Sequence, residues 1–309
     1  MDDCAICTPK SLPGHLLERA AKTAIEINPL NAAPVHRLSG LVANGPPMLA
    51  YISVLTSKFW HTKGVRLTVG FLDNPPPELR ARILLHMNAW STRLNVAFVE
   101  SNLSPMVRIA RAEKHGYSSY VGTDILHIPA GEPTMNLEAF TMNTRESEFV
   151  RVVRHETGHT LGCPHEHMRR ELVERIDRQK AIAFFQATQG WSEEGVIQQV
   201  LTPIEESSLW GTGHSDPNSI MCYQIPGAIT KDGKPIPGGV DIDEQDFAFM
   251  EKIYPKTLTV AGRSDGDDGA RVSAAAAALD IDYPAEIARL ERENSVLKQA
   301  IGIFARDLI

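Results

Sequence analysis

From Gly64 onward the apolar positions Val65, Leu67, Val69 and Phe71 alternate with their neighbours, the two-residue period of a half-buried strand. The run ends at Asp73, Asn74 and three prolines, which cannot continue a ladder. Residues 78–94 change to helical spacing, with Ile83, Met87, Trp90 and Leu94 aligned. Short strands are predicted at 96–99, 107–110, 125–128 and 135–140, and a second long helix over 146–161 carries Phe149, Val152 and Val153. Further helices are predicted at 171–189 and 243–254, the latter capped by Asp243. Residues 202–242 are rich in Pro, Gly, Ser and Asp and read as irregular. Strand, helix, several strands and then a long helix predict an α+β fold, a mixed twisted sheet with two long helices and an irregular C-terminal subdomain.

The two ends of the chain read differently. Residues 1–57 hold one helix near 15–27, with Leu16, Leu17, Ala20, Ala24 and Ile27 on a face, followed by Pro29, Pro34, Pro46 and Pro47. They are either a pro-segment or a helical extension packed on the next domain, and the lack of a marked cleavage site favours the extension. Residues 58–255 form the main domain, and the polar, glycine-rich and alanine-rich stretch 256–284 reads as a linker. Over 285–309, Ile287, Asn294, Ile301 and Leu308 recur every seven residues, and Leu290, Leu297 and Phe304 do so three places on. That is an a/d seam, which predicts a coiled coil and a homodimer through 285–309, with Asn294 fixing register. The alternative is one amphipathic helix docked on its own domain.

A hydrophobic content of 43% over 309 residues fills a sizeable core, and the net charge of -7 argues against a nucleic-acid partner. No apolar window reaches the roughly 18 residues of a membrane span. The acidic N-terminus has no apolar signal core, so the chain as written reads as cytoplasmic, unless it leaves by another route or has lost a signal. Four cysteines are too few for a disulfide scaffold.

Composition thus excludes classes, and one short stretch supplies chemistry. In His155-Glu156-Thr157-Gly158-His159-Thr160-Leu161-Gly162-Cys163-Pro164-His165, the first two histidines are four apart on a helix and project from one face toward one metal. Gly162 suits the left-handed conformation that ends a helix, and Pro164 cannot continue it, so the turned chain can deliver His165 as third ligand. Three protein ligands leave a position open, which marks a catalytic zinc rather than a structural one. Glu156, beside the first ligand, is placed to act on water as general base. Five fixed positions match by chance about once in 10,000 chains of this length.

This stretch is the signature of the metzincin peptidases, and Ser219-Ile220-Met221-Cys222-Tyr223 downstream resembles their Met-turn, in the S-x-M-x-Y form of astacins and related bacterial peptidases. The resemblance covers about residues 58–255. It implies a metzincin-type catalytic domain with one catalytic zinc ion, Met221 as a floor beneath the metal, and Tyr223 as an additional ligand that swings away to stabilise the oxyanion. Glu166 and Arg169 match residues following the family's third histidine. The segments 116–122 and 134–137 resemble those preceding and forming the strand at the cleft edge, with Met135, Asn136, Leu137 and Glu138 as the edge itself. Family resemblance also suggests secretion. The chain departs from the family at Cys222 and Cys163, which replace a His and a Phe, and it lacks both the paired disulfides and the upstream F-x-G-D motif.

The function expected is a zinc-dependent endopeptidase hydrolysing protein or peptide substrates. The alternative is a catalytically silent zinc fold that recruits partners through its coiled coil, against which the intact Glu156 counts; a zinc hydrolase of another amide is a third reading. Cys4 and Cys7 are candidate latency thiols, because a thiolate is a strong zinc ligand, or else a free surface pair. Cys163 and Cys222 are either buried free thiols or a disulfide. His167 is expected at the surface, at most touching the rim of the site.

Overall fold

The computed structural model describes residue 7 and residues 10–32, 57–203 and 215–256. The linker and heptad region therefore lie outside the described residues, as does Cys4. Among the described residues no helix is long and apolar enough to cross a membrane.

The alternating pattern becomes strand β1, Val65–Phe71, whose odd positions are buried up to Val69. It lies between β2, Val96–Glu100, and β3, Val107–Ala110, both parallel to it. Beyond β3 come β5, Met135–Leu137, and then β4, Tyr117–Ser119, which is antiparallel to β5, giving the order β2-β1-β3-β5-β4. The expected edge strand at Met135–Leu137 is thus interior, paired on one side through Ile109 with Met135 and on the other through Tyr117 with Leu137. Glu138 turns away and accepts from the Lys114 and Gly116 amides, closing the turn before β4. The edge on this side of the sheet is β4, and β2 forms the opposite edge.

Helix α2, Pro77–Met87, opens on a proline at its first turn, where the missing N–H costs nothing. It stops short of the expected residue 94 because the Asn88 side chain donates to Leu84 O and Phe98 O and accepts from Phe98 N, tying the helix end to β2. A 3-10 turn, Trp90–Thr92, follows. Residues 125–128 are not a strand: a 3-10 segment, Gly122–His127, takes their place, pinned by Thr123 N to Lys58 O and by the buried Lys58–Asp124 ion pair.

Helix α3 supports the site. It runs as an α turn Glu146–Glu148, a π stretch Phe149–Val153 and an α stretch Arg154–Thr160. Phe149, Val152 and Val153 bury its lower face with β1, β3 and α2 in the main core. Trp90 Nε1 donates to Arg154 O at 2.9 Å and Trp60 Nε1 to Thr160 O at 2.8 Å, so two indoles clamp the α stretch at both ends. The expected helix over 171–189 is broken into α4, Arg170–Val173, and α5, Arg178–Gln189, because Asp177 caps the second by accepting from Lys180 N. With α6, Glu193–Val196, these helices form a second core around Phe185, Val196 and Ile225.

Helix α7, Glu244–Ile253, carries the expected Asp243 cap and a reciprocal partner, Asp246. Asp246 accepts from Ser219 Oγ at 2.6 Å and Ile220 N at 2.9 Å, anchoring the segment 219–223 to the helix. Burial nonetheless raises its carboxyl to about 7. A raised folded value means the stabilising contribution is complete below the ordinary value of 3.8 and is lost as pH rises through 7. The unfolding temperature of D246N is therefore expected to vary less than that of the natural chain between about pH 4 and 7. An unchanged slope in a pH series of thermal melts would count against this.

The N-terminal part packs on this frame. Helix α1, Leu17–Ile27, buries Ala20, Ala21, Ala24 and Ile25. After it, fully buried Asn31 donates to Ala24 O and Phe59 O and accepts from Phe59 N, while Asn28 donates to Trp60 O. Buried bonds of this kind contribute about 1 kcal/mol each. Before α1, Cys7 and Lys10 form isolated parallel bridges to Tyr117 and Tyr120, alongside β4.

Candidate metal centre and active site

His155 and His159, one turn apart on α3, both point their Nε2 atoms at one spot. The chain then reverses at Gly162, whose φ of +106° only glycine adopts readily and whose Cβ would stand 2.7 Å from Phe59 Cδ1. That turn brings in His165, whose Nε2 lies 3.1 Å from His155 Nε2 and 3.0 Å from His159 Nε2. All three rings are buried.

The outer nitrogens decide the chemistry of the inner ones. His155 Nδ1 bonds Ile220 O at 2.6 Å, and His159 Nδ1 bonds Cys163 O at 2.8 Å. A carbonyl only accepts, so both Nδ1 atoms carry the proton and both Nε2 atoms are bare lone pairs. Burial, followed by the neighbouring imidazoles, holds His155 and His165 well below the ordinary range, and burial takes His159 down to about 4. Three neutral imidazoles converging on one point are the donor set of a metal ion, and they fit zinc.

Glu156 is fully buried beside this point, and neither carboxylate oxygen has a hydrogen-bond partner. Burial pushes it up to about 8, partly offset by the Cys7 thiol and by Arg151. The thiol is close enough to perturb it without forming a bond of ordinary geometry. Met221 lies under α3 because Gly158 leaves room: a Cβ there would stand 2.4 Å from the Met221 sulfur. Glu166 N donates to Met221 O, joining the third-ligand segment to the same turn. Tyr223 is buried with its ring centroid 4.3 Å from that of His165, and its hydroxyl donates to the Cys7 carbonyl.

Cys7 is the residue brought in from farthest away. Its thiol and the three histidine nitrogens all lie within 4.8 Å of one another. Cys7, Arg151, Glu156, Tyr223 and Gln224 line a cavity of about 420 Å³ that includes open solvent.

The remaining expectations divide. Cys163 and Cys222 are free buried thiols, the first against the Met250 sulfur at 3.2 Å, and no disulfide joins them. His167 is not at the surface: it is fully buried, with its ring stacked on Tyr223. Glu166 pairs with Arg169 at 2.9 Å. Sequence reasoning missed Arg151 on the cavity wall and Asp246 beneath the Met-containing turn. The three-residue spacing of Asp243 and Asp246 signals a capping box, but nothing local signals Ser219 as a further partner.

Residues 54–231 match the model of the astacin peptidase family. Among solved structures, one titled "Structure of myroilysin" is 30% identical with a TM-score of 0.61, covering 65% of this chain and 97% of its own. A second myroilysin structure is 30% identical with a TM-score of 0.51, over 65% and 87% of the two chains. A hatching enzyme zinc-protease, high choriolytic enzyme 1 from the medaka fish Oryzias latipes, is 17% identical with a TM-score of 0.44, over 63% and 92%. A search of curated proteins found no match.

Proposed function

Because the chain belongs to the astacin family, and is thus a zinc-dependent metalloendopeptidase acting on proteins or peptides, we propose that His155, His159 and His165 hold its zinc, that Glu156 is the general base, and that Cys7 keeps the enzyme latent. The observation that carries this reading is the convergence of three Nε2 atoms, two of them fixed as lone pairs, beside a buried carboxylate that has no hydrogen-bond partner.

When bound, zinc acidifies water and polarises the scissile carbonyl. Glu156 takes the proton from the attacking water at its carboxylate and returns it to the leaving nitrogen. Once Cys7 has withdrawn, no other donor competes by hydrogen bond for the two oxygens among the described residues. The Tyr223 hydroxyl, once released from the Cys7 carbonyl, donates to the oxyanion. Met221 supports the ligand pair from below through its contact at Gly158. An extended substrate pairs with the edge strand β4 and gains main-chain hydrogen bonds there.

The same segment obstructs each of these positions. The Cys7 thiol lies within 4.8 Å of the three histidine nitrogens and would be a fourth ligand to a metal held there, the Cys7 carbonyl holds the Tyr223 hydroxyl, and the bridges at Cys7 and Lys10 occupy the β4 edge. A fourth protein ligand closes a tetrahedral site. That closure also favours the second reading, a zinc fold that is permanently silent. The two differ in whether Cys7 can leave.

The test is a casein and peptide-library digest with the metal content measured in parallel. One zinc per chain is expected, with turnover lost on chelation, restored by zinc, and absent in H159A. Turnover indifferent to chelation, or no stoichiometric ion, would overturn the assignment.

A further inference from the structure

The machinery above gives no task to the buried imidazole next to its tyrosine. His167 is fully buried, two residues past the third ligand. Its ring lies 3.9 Å from that of Tyr223, centroid to centroid, with an interplanar angle of 16°. That is the most nearly parallel and closest ring contact Tyr223 makes among the described residues; those with His155 and His165 are longer, at 6.4 and 4.3 Å. On its far edge His167 Nε2 bonds Gln199 O at 3.0 Å, which fixes the proton on Nε2. Gln199 lies in a π turn, Ile197–Leu201, that continues α6 and belongs to the second core. Nδ1 is buried with no hydrogen-bond partner.

We infer that His167 is a positioning residue: held edge-on by the Gln199 carbonyl, its ring fixes the plane in which the Tyr223 hydroxyl moves between the Cys7 carbonyl and the oxyanion. The inference rests on the assignment of Tyr223 as oxyanion donor. A phenol can aim its hydroxyl only within the plane of its ring, so the face it stacks on sets where it can donate. A stacking pair alone would leave the partner ring free to turn; the bond to Gln199 removes that freedom. A leucine or phenylalanine would fill the volume without unpaired polar atoms. The imidazole instead leaves Nδ1 buried and unsatisfied, an unfavourable arrangement that a purely space-filling role does not account for.

The test is a double-mutant cycle in the full chain with Cys7→Ala as common background. His167→Ala is expected to lower kcat about tenfold with KM nearly unchanged, and His167→Phe, which keeps the stack and loses the Gln199 bond, to lower it less. Both effects should vanish when Tyr223 is already Phe. Ring-labelled tyrosine NMR supplies a readout independent of turnover: Tyr223 should flip faster in His167→Ala, while Tyr254 keeps its rate. If the His167 variants lose the same fold in the Tyr223→Phe background, or Tyr223 flips at an unchanged rate, the inference fails. If Tyr223→Phe alone leaves kcat unchanged, it is the oxyanion assignment that fails, and the cycle identifies it as such.

Discussion

Glu156→Gln should keep its zinc and lose peptide hydrolysis by about 10²- to 10⁴-fold, the range associated with a general base; Glu156→Ala, with no group left to hold a proton, should show no measurable turnover. The ligands do not depend on this side chain, since His155 and His159 are oriented through Ile220 O and Cys163 O. Burial without partners means that the carboxylate is a burden to the fold, so the neutral amide is expected to unfold at a higher temperature than the natural chain. Higher stability with lost turnover and one zinc per chain is a combination that a scaffold role for Glu156 cannot produce. Retained turnover in Glu156→Ala, measured on a peptide library with metal content in parallel, would refute the assigned base.

The second large effect concerns Cys7→Ala. If the thiol closes the metal site, the unprocessed natural chain is active only in the fraction of molecules that have released it. An open fraction below one in ten corresponds to a gain of about tenfold or more in Cys7→Ala. An organomercurial that captures thiols should raise the activity of the natural chain and leave the variant unchanged. Both arms read the same step by different chemistry. Should Cys7→Ala bind zinc, keep Glu156 and still cleave nothing, the silent-fold reading takes over.

Much of this molecule is legible in local patterns. Val65, Leu67 and Val69 give a strand, and the spacing of His155, His159 and His165 about Gly162 gives three nitrogens at one point, because each depends on periodicity or on one turn. The errors arise where a distant partner decides. Asn88 ends α2 by bonding Phe98, which no helical period registers. Ile125 reads as a strand residue, yet its segment is wound around Lys58. Sequence places the edge at β5 rather than β4 because both strands are only three residues long and strand order depends on pairing rather than composition. Cys7 shows its chemistry in sequence, but its arrival beside the distant His155 depends on the edge of β4. His167 sits in a segment without a period that would mark one side as inner.

The protons that set the ligand nitrogens are held by main-chain oxygens, those of Ile220 and Cys163, rather than by carboxylate side chains. No codon change removes a carbonyl, so the tautomers of His155 and His159 are insulated from point substitution in a way that an aspartate-buttressed site is not. These carbonyls also add no negative charge, so the basicity of the imidazoles gains nothing from an anionic neighbour. Drift around this metal should therefore act by displacing backbone, through positions such as Asp246 and Gly158, before it acts by altering the donors themselves.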